Sequence, residues 1–363
     1  MDRSELIDFE LLIKAVAVQA PAGVDPRSDI SPTSQYYSLK DVRSQARANE
    51  RAMLFEDDDF QALVLDWRPL EQALPDILTH QSKDLEYAAW LIEAWCRTEG
   101  FAGLATGFKT TRLLIEHFWL DVYPLPDDEG MDARIAPLVG LNGYEGDGAL
   151  ITPILSIPLT EASSVGCFAC WQYVRAAALS RKDENKQKQR TDAGIASLEQ
   201  IQQAVQETPA SFYQQLRSDI HLAIAEFILL SDAMDAAMAG EQQPTTAISK
   251  ALQQCLDAVN YLAADKLKPE PDSQADNTEI ESLANLSTHN VDQQLQSRQQ
   301  VIRSLQHAVD FFRKTEPHSP MSYALEQVIR WSDLTLPELL QELIDDSNTR
   351  NSYFRLAGIP QTK

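Results

Sequence analysis

Two cysteines, Cys167 and Cys170, form a CxxC pair whose spacing could serve chemistry. Such a pair can bind zinc through its thiolates or exchange a disulfide. A zinc site needs a second ligand pair nearby, and a redox site of this kind lies beside a βαβ pattern; neither accompanies these cysteines. On a helix, such thiols are more often buried as small hydrophobic side chains. We interpret them as core residues, and metal binding and redox chemistry stay open as the weaker alternatives.

A glycine-containing run, GLATGFKT from Gly103 to Thr110, has some of the composition of a phosphate-binding loop. Its spacing is wrong, because Phe108 separates the second glycine from Lys109 and no strand precedes the run. We predict a mid-helix segment that packs in a core. The six histidines are scattered without ligand spacing, and neither GxSxG nor HExxH occurs. We therefore predict no catalytic residue, no cofactor, no metal site and no enzymatic activity.

Carboxylates cluster at residues 56–59 (EDDD), 127–129 (DDE) and 345–346 (DD). The first cluster could bind a cation, but it lacks the spacing of an EF-hand loop. Negative charge before a helix more often complements the helix dipole. Side chains that are adjacent in sequence tend to point apart, so the other two clusters make poor acid–base pairs.

The formal net charge of −23 over 363 residues excludes whole classes of partner. Nucleic acid and anionic membrane surfaces need clustered Lys and Arg. We interpret the charge as self-repulsion that keeps the protein soluble, and attraction to a basic partner is the alternative. The first residues resemble no secretory signal, and no apolar run is long enough to span a membrane. We therefore expect a cytoplasmic protein without direct membrane insertion.

Helices must position the cysteines and carboxylates considered above, because apolar residues recur at three- and four-residue steps along most of the chain. The most distinctive stretch is residues 83–124, which reads as two helices rich in Trp and Phe. Gly100 suits the end of the first, because glycine adopts a left-handed conformation without strain. Pro124 and Pro126 end the second. We expect neighbouring helices to pack on this hairpin.

The remaining helical patterns predict an all-α protein with several parts. Residues 1–180 form a helical N-terminal domain, and residues 192–264 form a small middle bundle of three helices. The apolar stretch at residues 150–159 is interrupted by prolines, which favours a surface-packed connector over a central strand. Residues 265–290 are polar, have two prolines near their start and predict a flexible linker. Residues 291–363 form a small C-terminal helical domain.

Several motifs are more specific than this periodicity. PAGVDPR at residues 21–27, DWRPLEQAL at 66–74 and the hairpin at 83–124 resemble the ImpA-type N-terminal domain of the TssA family of the bacterial type VI secretion system. The segments at residues 311–343 and 356–359 resemble a C-terminal domain found in TssA proteins. Residues 324–328 depart from the family's commoner basic pattern, which leaves the local surface charge open.

The resemblance implies a cytoplasmic assembly factor that forms a homo-oligomeric ring through its C-terminal domain. It implies association with the secretion apparatus at the inner membrane and contacts with baseplate, inner-tube and contractile-sheath proteins. The short chain favours the baseplate end. A generic helical scaffold or adaptor in another assembly pathway is the alternative.

The C-terminal block carries more apolar surface than a three-helix monomer can bury comfortably. We therefore predict the subunit contact of the ring there. The candidate oligomerisation residues are Trp331, Leu334, Leu336, Leu339, Leu340 and Leu343.

Limited proteolysis should cut first within residues 265–290, because a segment with little to bury can open into a protease. We expect a large N-terminal fragment and a small C-terminal one, identified by mass spectrometry. Primary cleavage within residues 83–124 would contradict this domain map.

Overall fold

The computed structural model describes residues 6–53, 63–126, 130–144, 146, 148–180, 196–267, 306, 309, 313 and 320–332. These residues contain twelve α-helices and no β-strand, which confirms the predicted all-α class. The chain divides into two units, Met1–Glu270 and Pro271–Lys363, and each is described by itself.

Eleven of the described helices belong to the first unit and one to the second. They are α1 (Phe9–Leu12), α2 (Gln35–Met53), α3 (Val64–His80), α4 (Leu85–Thr98), α5 (Gly100–Phe118), α6 (Asp132–Asn142), α7 (Ile151–Ser156), α8 (Cys170–Ser180), α9 (Leu198–Glu207), α10 (Ala210–Ala237), α11 (Thr246–Leu262) and, in the second unit, α12 (Pro320–Ser332). No helix in this described part of the chain is both long and apolar enough to span a membrane.

The predicted hairpin is formed by α4 and α5, and it lies at the centre of the first unit. Asp84 caps α4 by accepting a hydrogen bond from the Tyr87 backbone N–H at 2.9 Å. Gly100 has a positive φ of 62°, which lets the chain turn directly from one helix into the next. Both Trp90 and Trp95 are about 1% exposed. Helix α4 is therefore covered on nearly every side by its neighbours.

Two glycines of α5 allow the two helices of the hairpin to approach closely. A Cβ atom on Gly103 would lie 2.4 Å from the Trp95 carbonyl oxygen, and one on Gly107 would lie 2.9 Å from Ile92 Cγ1. The GLATGFKT run is thus mid-helix, as predicted. Its glycines serve close packing, because a side chain at either position would collide with α4.

Helix α10 packs along α5 and joins the later helices to the same core. The ring centres of Phe108 and Phe227 lie 4.9 Å apart, and the Arg112 guanidinium nitrogen lies 3.2 Å from a Glu226 carboxylate oxygen. Helices α9, α10 and α11 coincide with the three predicted in the middle region, and they belong to the first unit together with α1–α8. The assignment of residues 1–180 as a separate domain stays a prediction.

The proline-containing stretch at residues 150–159 is not a strand and contains the short helix α7. Leu150 and Ile154 are completely buried, so this connector lies deeper than a surface-packed segment would. Pro153 is tolerated because it falls in the first turn, where the backbone N–H has no partner within the helix. The acidic clusters at 56–59, 127–129 and 345–346 lie outside the described residues. Of the predicted linker at 265–290, residues 265–267 are described and belong to the first unit, where Lys266 donates to the Gln206 carbonyl oxygen at 2.7 Å; residues 268–290 lie outside the described part.

Replacing Gly103 by Ala should destabilise the protein by about 1–3 kcal/mol, because the added methyl group collides with the backbone of α4. The matched control is Gly140→Ala in α6, where an added Cβ meets nothing within 4 Å. That change should stabilise by about 0.5–1 kcal/mol through helix propensity. Urea denaturation measures both; equal effects would contradict the close approach of α4 and α5.

Candidate functional site

The structure separates the two cysteines of the CxxC pair. Cys167 precedes α8 and donates a hydrogen bond to the Thr160 carbonyl oxygen at 3.0 Å. Cys170 begins α8 and is buried against Cys255 of α11. The hydrogen bond between these two thiols lowers the pKa of Cys170, and together with burial it raises the pKa of Cys255. The two cysteines therefore make different contacts: Cys167 bonds a loop carbonyl, and Cys170 packs in the core.

Within the described residues, no group of three or more His, Cys, Asp or Glu side chains is arranged to hold a metal ion. The dominant polar feature is instead a row of ion pairs between α2 and α4, which we call the charged seam. Its members are Tyr36, Arg43 and Glu50 of α2 with Glu86, Glu93 and Arg97 of α4.

The first end of the charged seam fastens the PAGVDPR loop. Arg27 donates to Asp84 and to Glu86, each at 2.7 Å, and its guanidinium lies 5.1 Å from the centre of the Tyr36 ring. The Tyr36 hydroxyl also donates to Glu86, at 2.9 Å. Burial alone would lower the pKa of Arg27, but the two carboxylates outweigh it and raise this pKa.

The middle of the charged seam is a buried carboxylate between two arginines. Glu93 is fully buried, accepts a hydrogen bond from Arg43 and lies 3.7 Å from Arg47. The Arg43 guanidinium also lies 5.6 Å from the centre of the Trp90 ring. Burial lowers the pKa of Arg47 despite the nearby Glu93 charge. The other carboxylate oxygen of Glu93 is buried and has no hydrogen-bond partner, so the hydrogen-bonding capacity of this carboxylate is only partly used.

The far end of the charged seam is the most enclosed pair. Arg97 donates to Glu50 at 2.7 Å, and Trp67 of α3 donates its indole N–H to the same carboxylate at 2.9 Å. The Arg97 guanidinium stacks 3.9 Å from the centre of the Trp67 ring. Burial alone would lower the pKa of Arg97, but the hydrogen bonds and charge of Glu50 outweigh burial and raise this pKa. These groups join α2, α3 and α4 at one point.

Sequence reasoning missed the charged seam, although its spacing was visible. Positions 36, 43 and 50 are seven residues apart, as are positions 86 and 93. Residues seven apart return to one face of a helix, so each set marks a polar stripe. The carboxylates are fixed by arginines, which suits a structural role.

Of the six candidate oligomerisation residues, only Trp331 lies within the described residues. It is half-buried on α12, and its indole N–H is buried without a hydrogen-bond partner. Tyr323 and Val328 of the same helix are exposed. Leu334, Leu336, Leu339, Leu340 and Leu343 lie outside the described residues, so this assignment stays a prediction.

Comparisons with known proteins agree with the motifs. The family model described as ImpA, N-terminal, type VI secretion system, matches residues 13–143. The chain is 25% identical over 354 residues to the type VI secretion system component TssA1 of Pseudomonas aeruginosa, covering 94% of this chain and 96% of that protein. The resemblance to the TssA family is confirmed.

A solved structure shares the fold. It is the N-terminal domain, including the conserved ImpA_N region, of the TssA component from Burkholderia cenocepacia, with a TM-score of 0.57 at 20% identity. The match covers 98% of that domain and 73% of this chain. Because residues 1–180 are only about half of the chain, the shared fold extends beyond them.

Arg97→Met should destabilise the protein by about 3–5 kcal/mol, because it leaves the Glu50 carboxylate buried without its cation. The double change Glu50→Gln with Arg97→Met should cost less, since no charge remains unpaired. The control Arg68→Met removes a surface pair with Glu71 and should cost under about 1 kcal/mol. Equal costs for Arg97→Met and Arg68→Met in urea denaturation would refute a buried seam.

Proposed function

We propose that this TssA-like component of the type VI secretion system, which carries an ImpA-type N-terminal domain, forms a homo-oligomeric ring that organises the assembly of baseplate, inner tube and contractile sheath. The similarity to TssA1 carries the proposal, because it covers 94% of this chain and 96% of that protein. The likeness is therefore not limited to the N-terminal domain.

The proposed ring forms through residues 291–363. Acidic and basic residues roughly balance there, whereas the whole chain carries a net charge of −23, so charge repulsion opposes self-association least in this block. The exposed Tyr323 and Val328 of α12 add apolar surface beside Trp331. A small domain with such a surface is stabilised by burying it against another subunit, and closed symmetry is the usual result.

The proposed role is structural rather than catalytic. In the charged seam, the arginines and carboxylates are paired with one another, which suits a rigid helical body that presents binding surfaces. We place this body in the cytoplasm, associated with the secretion apparatus at the inner membrane. Its proposed partners are baseplate, inner-tube and sheath proteins, and the short chain favours the baseplate end.

A generic scaffold role in another assembly pathway is the competing proposal, because a helical body and an acidic surface suit it as well. Deletion of the gene in the native organism separates the two. Loss of sheath assembly, observed by fluorescence microscopy of a labelled sheath protein, supports the type VI role. Normal sheaths in the deletion strain would favour the generic scaffold.

The ring proposal predicts that Val291–Lys363 alone is a large oligomer in multi-angle light scattering, and that Met1–Asp265 is a monomer or a small oligomer. In the full chain, Leu339→Asp with Leu343→Asp should dissociate the ring, because two carboxylates would be buried at the subunit contact. The same double variant should stop sheath assembly in cells.

The matched control is Leu222→Asp with Leu229→Asp on α10, where both leucines are about half exposed. This variant should retain the oligomeric mass of the unchanged protein. A monomeric C-terminal fragment beside a ring-forming N-terminal fragment would overturn the proposed site of oligomerisation.

A further inference from the structure

A groove opens beneath the PAGVDPR loop, between that loop, the start of α2, the end of α3 and the start of α4. Its volume is about 220 Å³, which suits one long side chain rather than a large ligand. The loop is held over the groove by Arg27, which bridges to Asp84 and Glu86 at 2.7 Å each. The groove is therefore a fixed feature of the first unit.

The rim of this groove carries excess negative charge. Asp25 and Asp29 both line it. Asp25 already shares Arg27 with the carboxylates of α4, at 3.1 Å. Asp29 is exposed and accepts one hydrogen bond, from the Ser31 backbone N–H at 3.0 Å; within the described residues it forms no ion pair. One carboxylate at the mouth is thus free to pair with an incoming cation.

Two lysines lie nearby: the Lys40 ammonium is 5.6 Å from the centre of the Tyr36 ring, and Lys83 stands between Ser82 and Asp84 and bonds the Leu78 and Thr79 carbonyl oxygens at the end of α3. Together with Arg27 they make three positive charges, against the four carboxylates of Asp25, Asp29, Asp84 and Glu86. The immediate surroundings of the groove therefore attract a further positive group, and the net charge of −23 on the whole chain adds to that attraction.

The floor of the groove contains two buried tyrosines and an unused hydroxyl. The rings of Tyr36 and Tyr87 have centroids 6.0 Å apart, and both side chains are almost fully buried. The Tyr36 ring is already covered by Arg27, Lys40 and the stacked Trp90. Ser82 also lines the groove; it is 3% exposed, and its Oγ has no hydrogen-bond partner. A buried polar group without a partner is unfavourable, and a ligand that carries hydrogen-bond donors would satisfy it.

We propose that this groove binds an arginine side chain presented by a partner protein. A guanidinium offers five N–H donors in a plane, so it can pair with Asp29 and donate to Ser82. Val24 and Ile30 are 68% and 82% exposed beside the mouth, and they offer apolar contact to the residues that flank the arginine. The site lies in the first unit, so it is independent of the proposed C-terminal ring.

The test uses saturation-transfer difference NMR on the full-length chain, because that method observes weak ligands of large assemblies. The probe is the peptide acetyl-Val-Arg-Val-amide, and the reference is the same peptide with citrulline, which keeps the shape and loses the charge. The arginine peptide should bind saturably, and the affinity of the citrulline peptide should be lower by a factor of about ten or more. A lysine peptide should bind more weakly than the arginine peptide, because it lacks the planar fork.

Asp29→Asn should weaken binding of the arginine peptide by about tenfold, since it removes the free carboxylate at the mouth. Ser82→Ala should weaken it several-fold without removing any charge. The matched control is Asp41→Asn, which neutralises an exposed carboxylate of α2 that does not line the groove and should change nothing.

Three results would each overturn the proposal: no saturable binding of the arginine peptide, equal binding of arginine and citrulline peptides, or unchanged binding by Asp29→Asn. Tighter binding of the lysine peptide would overturn the assignment of arginine.

Discussion

The burial of helix α4 is the constraint on which the first unit depends. This helix carries carboxylates at Glu86 and Glu93 and a guanidinium at Arg97, and its neighbours cover all of them wholly or partly. A buried charge is tolerated only when it is paired. Helix α2 must therefore lie where Arg43 and Glu50 can reach these groups. The charged seam fixes the position of α2, while apolar packing fixes α3 and α5.

The residues that resemble the ImpA signature form many of these attachments. Lys83 donates to the carbonyl oxygens of Leu12, Leu78 and Thr79 at 2.8–2.9 Å, which ties the ends of α1 and α3 to the start of α4. Its burial lowers the pKa of Lys83 to about 8. Arg27 of the PAGVDPR loop ties that loop to the same helix start. The signature thus describes how the parts are joined.

This use of charge has a consequence for the surface. Many of the arginines in the described part of the chain are engaged inside the first unit, as in the pairs Arg97–Glu50 and Arg112–Glu226. The chain has 54 acidic against 31 basic residues, and in the part that the structure describes Asp29, Asp41 and Asp76 are among the exposed carboxylates. The described helical body therefore presents acidic side chains at its surface. That combination is suited to recognition of basic partner surfaces, and it follows from where the positive charges are used.

The sequence by itself determined the helices, because apolar spacing and capping residues act within one or two turns. It located α4 and α5 within a few residues, and it placed the turn at Gly100. It also carried the resemblance to the TssA family. The tertiary structure alone decided which helix faces meet. The contact of Cys170 with Cys255 and the pair Arg112–Glu226 join residues far apart in the chain, and the unpartnered Ser82 hydroxyl depends on how a loop closes over α3. An apolar stripe on a helix shows that this face is buried. Which helix covers that face depends on the shape and charge of all the other elements, and these come together only in the folded protein.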